Sequence, residues 1–163
     1  DVYFHLTGSG NFILPSLSSS LFHNVYDNQK WNLNVRIKPV TYPYSDGVSG
    51  SRDNNFQVEF TGYNTVMDVI SNSFSVSGTI SGSDGVAFMT SPKRFYVGSH
   101  RTNFTGSVRE YSDVKISSLR VWMNYLSDET IQFHSKDALN HGVARPYRNV
   151  NLTEISRSFG EGI

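Results

Sequence analysis

Apolar and polar residues alternate with a period of two along short stretches of this chain, and that alternation constrains its fold more than any other feature. The clearest stretch spans residues 31–38. Its apolar members share one face of an extended strand: Trp31, Leu33, Val35 and Ile37. Its polar members share the other face: Asn32, Asn34, Arg36 and Lys38. This pattern predicts a strand with one side on a hydrophobic core and the other in water.

Shorter alternating stretches occur elsewhere in the chain. Their apolar residues are Val2, Phe4 and Leu6; Phe56, Val58 and Phe60; Phe74, Val76 and Ile80; and Phe95 and Val97. Gly78 interrupts the third stretch and predicts a bulge or weak point there. Turn-forming residues separate the stretches at 7–10, 43–50, 82–85 and 91–92. Short strands divided in this way favour an all-β sandwich or barrel.

The alternation changes phase between Val114 and Met123, which predicts a strand with a bulge near Ser117 and Ser118. Trp122 has the opposite parity to the apolar residues around it, so we expect it to face a neighbouring domain or a helix.

A short helix is predicted from Asp128 to Ser135. Ser127 is a good N-cap, and the acidic residues that follow suit the positive end of the helix dipole. Periodicity is weak from Val143 onwards. We therefore predict one domain over residues 1–142 and an extended tail or linker over 143–163.

Charge and composition narrow the function classes. The 163 residues include 14 basic and 14 acidic side chains, so no basic excess indicates a nucleic-acid partner. No stretch approaches the roughly 20 apolar residues of a membrane span. The chain has no Cys, which excludes disulfides and thiolate metal sites. The absence of an initiator Met and the glycine-rich end predict a segment of a longer polypeptide.

Several motifs carry a resemblance to a known family. They are FYVGS at 95–99, NFTG at 103–106, LRVW at 119–122 and LSDETI at 126–131. Together with the run 31–39 and the opening 1–15, they resemble strands of laminin G-like domains in the concanavalin A-like lectin/glucanase superfamily. The resemblance implies two antiparallel sheets in a jelly roll with one short helix near 128–135.

The resemblance also implies a class of function. Such modules bind glycans or proteins, or serve as structural and adhesive units of large surface proteins. The wording of this chain is most similar to domains of large phage virion proteins, which implies an extracellular or virion-surface location. Many relatives carry an acidic residue where Ser117 and Ser118 stand here, so their calcium site cannot be transferred to any residue of this chain. No other cofactor is expected.

Catalytic relatives in that superfamily are glycoside hydrolases with paired carboxylates on one strand face. That spacing is absent here: Glu59 stands alone on its strand, and Glu110 and Asp113 have the wrong parity. No histidine pair has the spacing of a helical zinc site. We therefore expect no enzymatic activity.

Exposed aromatic and amide side chains are the better candidates for ligand contacts, because aromatic faces stack on sugar rings. The predicted ligand-binding residues are Tyr42, Tyr44, Asp46, Asn55, Tyr63, Asn64, Arg101 and Asn103. The first four lie in a predicted exposed loop over 42–55. For any single Tyr, packing in the core or an interface remains the stronger interpretation.

Two functions stay open from the sequence. The first is a non-catalytic structural or adhesion module of a multi-domain assembly, with other protein subunits or neighbouring domains as partners. The alternative is a carbohydrate-binding, lectin-like module with a glycan partner. Neither involves nucleic acid or membrane insertion.

Overall fold

A computed structural model describes residues 1–8, 14–41, 55–92, 99–101, 108–111, 115–122 and 124–137. Its elements follow in chain order: β1 His5–Leu6, β2 Leu17–Ser18, β3 Trp31–Pro39, β4 Phe56–Val66, β5 Val69–Ile80, α1 Gly82–Thr90, β6 Ser99–Arg101, β7 Val108–Tyr111 and α2 Asp128–Lys136. All strand pairs are antiparallel. The described part is thus mostly β, as predicted, and is consistent with a sandwich, but it contains two helices where one was expected.

A three-stranded sheet in the order β3-β4-β5 forms the centre of the described structure. Trp31 to Pro39 pair in unbroken register with Asn64 to Phe56. A tight turn joins β4 to β5, and both of its residues, Met67 and Asp68, have positive φ. This backbone matches the right-handed twist of a hairpin.

One face of this sheet, here called the apolar face, builds the hydrophobic core. Its buried members are Val58, Phe60, Phe74 and Ile80, and Leu17 of β2 packs on them. Aromatic rings of the N-terminal segment complete one end: Phe4 stacks on Phe74 at 5.4 Å between centroids. A small β1-β2 sheet therefore lies against the three-stranded sheet, as in a sandwich.

Gly78 serves this packing, and the predicted bulge there is wrong. Gly78 pairs regularly with Val58, and the register shift lies instead at Asn64 and Thr65. A Cβ atom on Gly78 would stand 2.8 Å from Pro15 Cβ, so the position lets the N-terminal segment approach the sheet closely.

The other face of the sheet, here called the polar face, carries Asn34, Arg36, Glu59, Thr61 and Thr65. The prediction that this face of β3 meets water is wrong: the Arg36 side chain is only 7% exposed. Residues 124–137, including α2, pack against β3 and β4 and cover it.

Helix α1 replaces the turn expected at 82–85. Ser81 caps it, since its hydroxyl accepts a hydrogen bond from the Asp84 amide at 3.2 Å, and Asp84 lies in the first turn. Gly85 is buried because the Phe56 ring lies where a Cβ atom would be. The residues of the predicted turn, 82–85, thus form the first turn of a helix, and Ser81 just before them is its N-cap.

Helix α2 confirms the predicted helix and its cap. The Ser127 hydroxyl accepts a hydrogen bond from the Thr130 amide at 3.2 Å. Trp122 stacks on His134 of this helix at 5.4 Å, which is one of the two locations expected for it. Residues 115–122 are not strand, so the bulged strand predicted there is wrong over that range.

Three sequence predictions fall outside the described residues. They are the strand at Phe95 and Val97, the tail over 143–163, and the exposed loop over 42–55 except for its last residue, Asn55. Within the described part, no helix is long and apolar enough to cross a membrane.

Candidate functional site

The densest group of ionisable side chains in the described structure lies between the polar face of the sheet and the segment before α2. It consists of Arg36, Lys38, Glu59, Tyr125 and Asp128, and is called the charged cluster below. Glu59 is its centre: one carboxylate oxygen, Oε2, lies 3.0 Å from the Arg36 guanidinium and accepts the Tyr125 hydroxyl at 2.6 Å. The other oxygen, Oε1, lies 3.1 Å from the Lys38 ammonium.

The strand register explains why these side chains meet. Arg36 of β3 stands directly opposite Glu59 of β4, and Lys38 lies two residues further along the same face of β3. Directly opposed residues of opposite charge are favourable neighbours on a sheet face. The cluster is therefore assembled across two strands by pairing alone, before the C-terminal segment contributes anything.

The segment entering α2 completes the cluster from above. The Arg36 guanidinium donates to the backbone carbonyl of Leu126 at 2.8 Å and pairs with Asp128 at 2.5 Å. Both cations also lie over the Tyr125 ring, with Arg36 Cζ at 4.9 Å and Lys38 Nζ at 4.7 Å from its centroid. Arginine suits this position because its planar fork can donate in several directions at once.

The environment shifts two ionisation equilibria in the cluster. Burial raises the pKa of Tyr125 above its ordinary value, and the hydrogen bond donated to Glu59 raises it further, against the opposing effects of Lys38 and Arg36. Burial alone would lower the pKa of Lys38, but its hydrogen bonds with Tyr125 and Glu59 and the charge of Glu59 raise it overall. Both groups therefore remain protonated donors at neutral pH.

The contacts of the charged cluster are all made within the protein. Both oxygens of Glu59 accept from groups of the protein itself, and two positive and two negative side chains balance. The charged cluster thus links strands β3 and β4 to the start of α2.

A second set of contacts fixes the far end of α2. The Thr65 hydroxyl donates to the Ser135 carbonyl at 2.9 Å, and the Lys30 ammonium donates to the Lys136 carbonyl at 3.3 Å. The carbonyls at a helix C-terminus lack partners within the helix, so these donors satisfy groups that would otherwise need water. Helix α2 is thus bound to the sheet at both ends.

The structure places some of the predicted ligand-binding residues and not others. Tyr42, Tyr44, Asp46 and Asn103 lie outside the described residues. Asn55 directly precedes β4, and Arg101 ends β6. Tyr63 is half-buried on the polar face. Four of the eight predicted residues are thus described, and the site as a whole stays a prediction.

Asn64 has an internal structural role. It is buried, its amide donates to the Lys30 carbonyl at 2.9 Å, and its side-chain oxygen accepts from the Ser71 hydroxyl. These bonds hold the register shift near the end of β4. We therefore leave Asn64 out of the ligand site proposed below.

Sequence reasoning missed the charged cluster. The sequence pattern predicts Glu59 as a lone carboxylate, and Arg36 and Lys38 as part of a solvated face. The sequence does contain a weak signal: Arg36 and Lys38 lie on the polar face of one predicted strand, and Glu59 lies on the polar face of another. Only the pairing register turns that coincidence into contact.

Metal binding and relatives give no further assignment. The described residues contain no group of three or more His, Asp or Glu side chains that could hold a metal ion. Comparison of the chain with protein-family models, with characterised proteins and with solved structures finds no match.

Proposed function

We propose that this chain is a non-catalytic structural or adhesion module of a larger multi-domain assembly, with neighbouring protein subunits or domains as its partners. The observation that carries the proposal is the exposure of two apolar side chains on β3, Leu33 at 50% and Val35 at 46%. They lie side by side on the same face of a strand that, among the described strands, pairs only with β4. Apolar groups exposed together on an edge strand are typical of contacts with another chain.

The charged cluster supports the non-catalytic part of the proposal. Its acids and bases hold α2 on the sheet, so the polar groups best placed for chemistry are occupied by the fold itself. The finer assignment, a laminin G-like jelly roll from a phage virion or other extracellular surface, is part of this proposal and rests on the motifs at 95–131.

Sedimentation velocity of the full chain over a wide concentration range tests the assembly function. We expect concentration-dependent association that weakens in the double variant Leu33→Ser, Val35→Ser. Val69→Ser is the control, since Val69 is 66% exposed but lies at the hairpin between β4 and β5. A chain that stays monomeric at every concentration, alone and with its neighbouring segments, contradicts the proposal.

The alternative function is a lectin-like module whose site is built from Tyr42, Tyr44, Asp46, Asn55, Tyr63, Arg101 and Asn103. Half-exposed Tyr63 favours it, because a tyrosine presents both a stacking face and a hydroxyl to a sugar. A glycan array with the full chain separates the two functions. Saturable binding that is lost in Tyr42→Ala or Tyr44→Ala would replace the assembly function with the lectin function.

A further inference from the structure

Three buried polar atoms without a protein partner lie together on the polar face of the sheet. They are the side-chain oxygen of Asn34, the hydroxyl of Thr61 and the Nε–H of Arg36. Asn34 and Thr61 stand directly opposite each other in the β3-β4 register, and Arg36 follows Asn34 on the same face. Thr61 is 1% exposed, so bulk solvent does not reach its hydroxyl.

Such a coincidence is unfavourable unless something satisfies all three atoms. Buried polar groups in folded proteins almost always have a hydrogen-bond partner, from the protein or from ordered water. Asn34, Thr61 and Arg36 occupy neighbouring positions of one sheet face, so one small group placed between them can bond to all three. These neighbouring positions favour one small molecule that forms hydrogen bonds with all three atoms.

The charges around these atoms decide whether that small molecule is an ion or is neutral. Arg36 and Lys38 are balanced by Glu59 and Asp128, so the site needs no ion to neutralise it. The three atoms offer one donor, one acceptor and one hydroxyl that does both. A water molecule makes about three hydrogen bonds in buried sites and matches this mixture.

We propose that a buried water molecule binds at this position and bridges Asn34, Thr61 and Arg36, as an internal part of the junction between the sheet and α2. This inference concerns the interior of the chain and does not depend on the function proposed above. The water completes the hydrogen bonding of Arg36, whose other nitrogens already bond to Glu59, Leu126 and Asp128.

The sign of one stability change tests the proposal. Thr61→Val keeps the branched shape and strand preference but removes the hydroxyl. In a hydrated site, the change removes a hydrogen bond to the water and leaves the water with one partner fewer. Tm therefore falls by about 2–4 °C for each kcal/mol lost in a chain of this length. In a dry site it removes an unpaired polar atom, so Tm stays constant or rises, and that result overturns the proposal.

Two matched variants calibrate the measurement. Thr65→Val removes a hydroxyl on the same face with a known partner, the Ser135 carbonyl, so its fall in Tm sets the scale for a lost hydrogen bond. Thr79→Val changes an exposed position of β5 and should leave Tm unaltered. We expect Thr61→Val to resemble Thr65→Val and not Thr79→Val.

A second measurement on the unmodified full chain covers the case in which Thr61→Val does not fold. Water-selective nuclear Overhauser spectroscopy should show a cross-peak between a long-lived water and the Arg36 Nε–H. Absence of that cross-peak overturns the proposal, even if Thr61→Val lowers Tm.

Discussion

Replacing Glu59 with Gln should destabilise the protein far more than removing the other carboxylate that contacts Arg36. Glu59 is only 13% exposed and receives three charged or polar donors, whereas the Asp128 side chain is 70% exposed. Glu59→Gln leaves buried Arg36 and partly buried Lys38 beside a neutral partner whose amide group opposes one of the donors. Each variant therefore removes one negative charge, from a largely buried side chain in Glu59→Gln and from a largely exposed one in Asp128→Asn.

The expected magnitude follows from burial. Breaking a buried ion pair by removing one partner costs about 3–5 kcal/mol, and Arg36 keeps Asp128 and the Leu126 carbonyl, so we expect about 3 kcal/mol for Glu59→Gln. An exposed pair contributes roughly 0–1 kcal/mol, and Asp128 also lies in the first turn of α2, so we expect at most about 1 kcal/mol for Asp128→Asn.

Urea unfolding followed by tryptophan fluorescence measures both variants. With a slope near 2 kcal/mol/M, the loss of about 3 kcal/mol shifts the midpoint by about 1.5 M. Equal losses for the two variants, or a loss below about 1 kcal/mol for Glu59→Gln, would refute the view that burial of Glu59 makes the charged cluster the link between sheet and helix.

Three further predictions address pH, packing and capping. The pKa values of Tyr125 and Lys38 are raised in the folded state. Their contribution to stability is therefore complete below the unfolded-state pKa values near 10 and is lost as pH rises through the folded-state pKa values. Thermal unfolding from pH 8 to 11.5 should show this loss of stability, and Tyr125→Phe should make the loss smaller. Gly62→Ala should lower stability by about 1–3 kcal/mol by overpacking, because the new Cβ would lie 2.2 Å from Phe74 Cε1; an unchanged Tm would contradict the packing described. Ser127→Ala should cost about 1 kcal/mol by removing the N-cap of α2, and Ser127→Asp should restore most of it in the same unfolding assay.

Local signals in the sequence predicted the elements that depend on near neighbours. Alternation located β3, β4 and β5, because side chains two residues apart on a strand must share a face. Ser127 and the acids after it located α2, because a cap acts within one turn of the helix. Similar local chemistry at Ser83 and Asp84 predicts a turn over 82–85, since serine and aspartate bond to nearby amides both in turns and at the start of a helix.

The charged cluster could not be predicted in this way. Alternation sorted Arg36 and Lys38 onto the polar side of β3, and that assignment of face is correct. Whether such a face meets water depends on what packs above it, and here the covering residues are 90 positions away for the Arg36–Leu126 bond. Contacts at that separation leave no periodic trace in a single sequence.

The ligand-site prediction depends on packing in the same way. Composition favoured exposed tyrosine and asparagine, but exposure is decided by packing and not by residue type. Asn64 shows this, since a residue typical of loops is buried at a register shift and bonds to the backbone of Lys30. Tyr42, Tyr44, Asp46 and Asn103 lie beyond the described residues, so their role stays a prediction.

The attachment of α2 to the sheet has a consequence for the order of folding. The β4-β5 hairpin closes over a two-residue turn, whereas the bonds from Arg36 to Leu126 and from Lys30 to Lys136 close loops of 90 and 106 residues. Long loops carry a larger entropic cost of closure, so the hairpin should form early and the C-terminal helix should dock late. Until that docking, Arg36 and Glu59 remain hydrated. During synthesis on the ribosome, the polar face of the nascent sheet should therefore stay exposed to water until residue 137 has emerged.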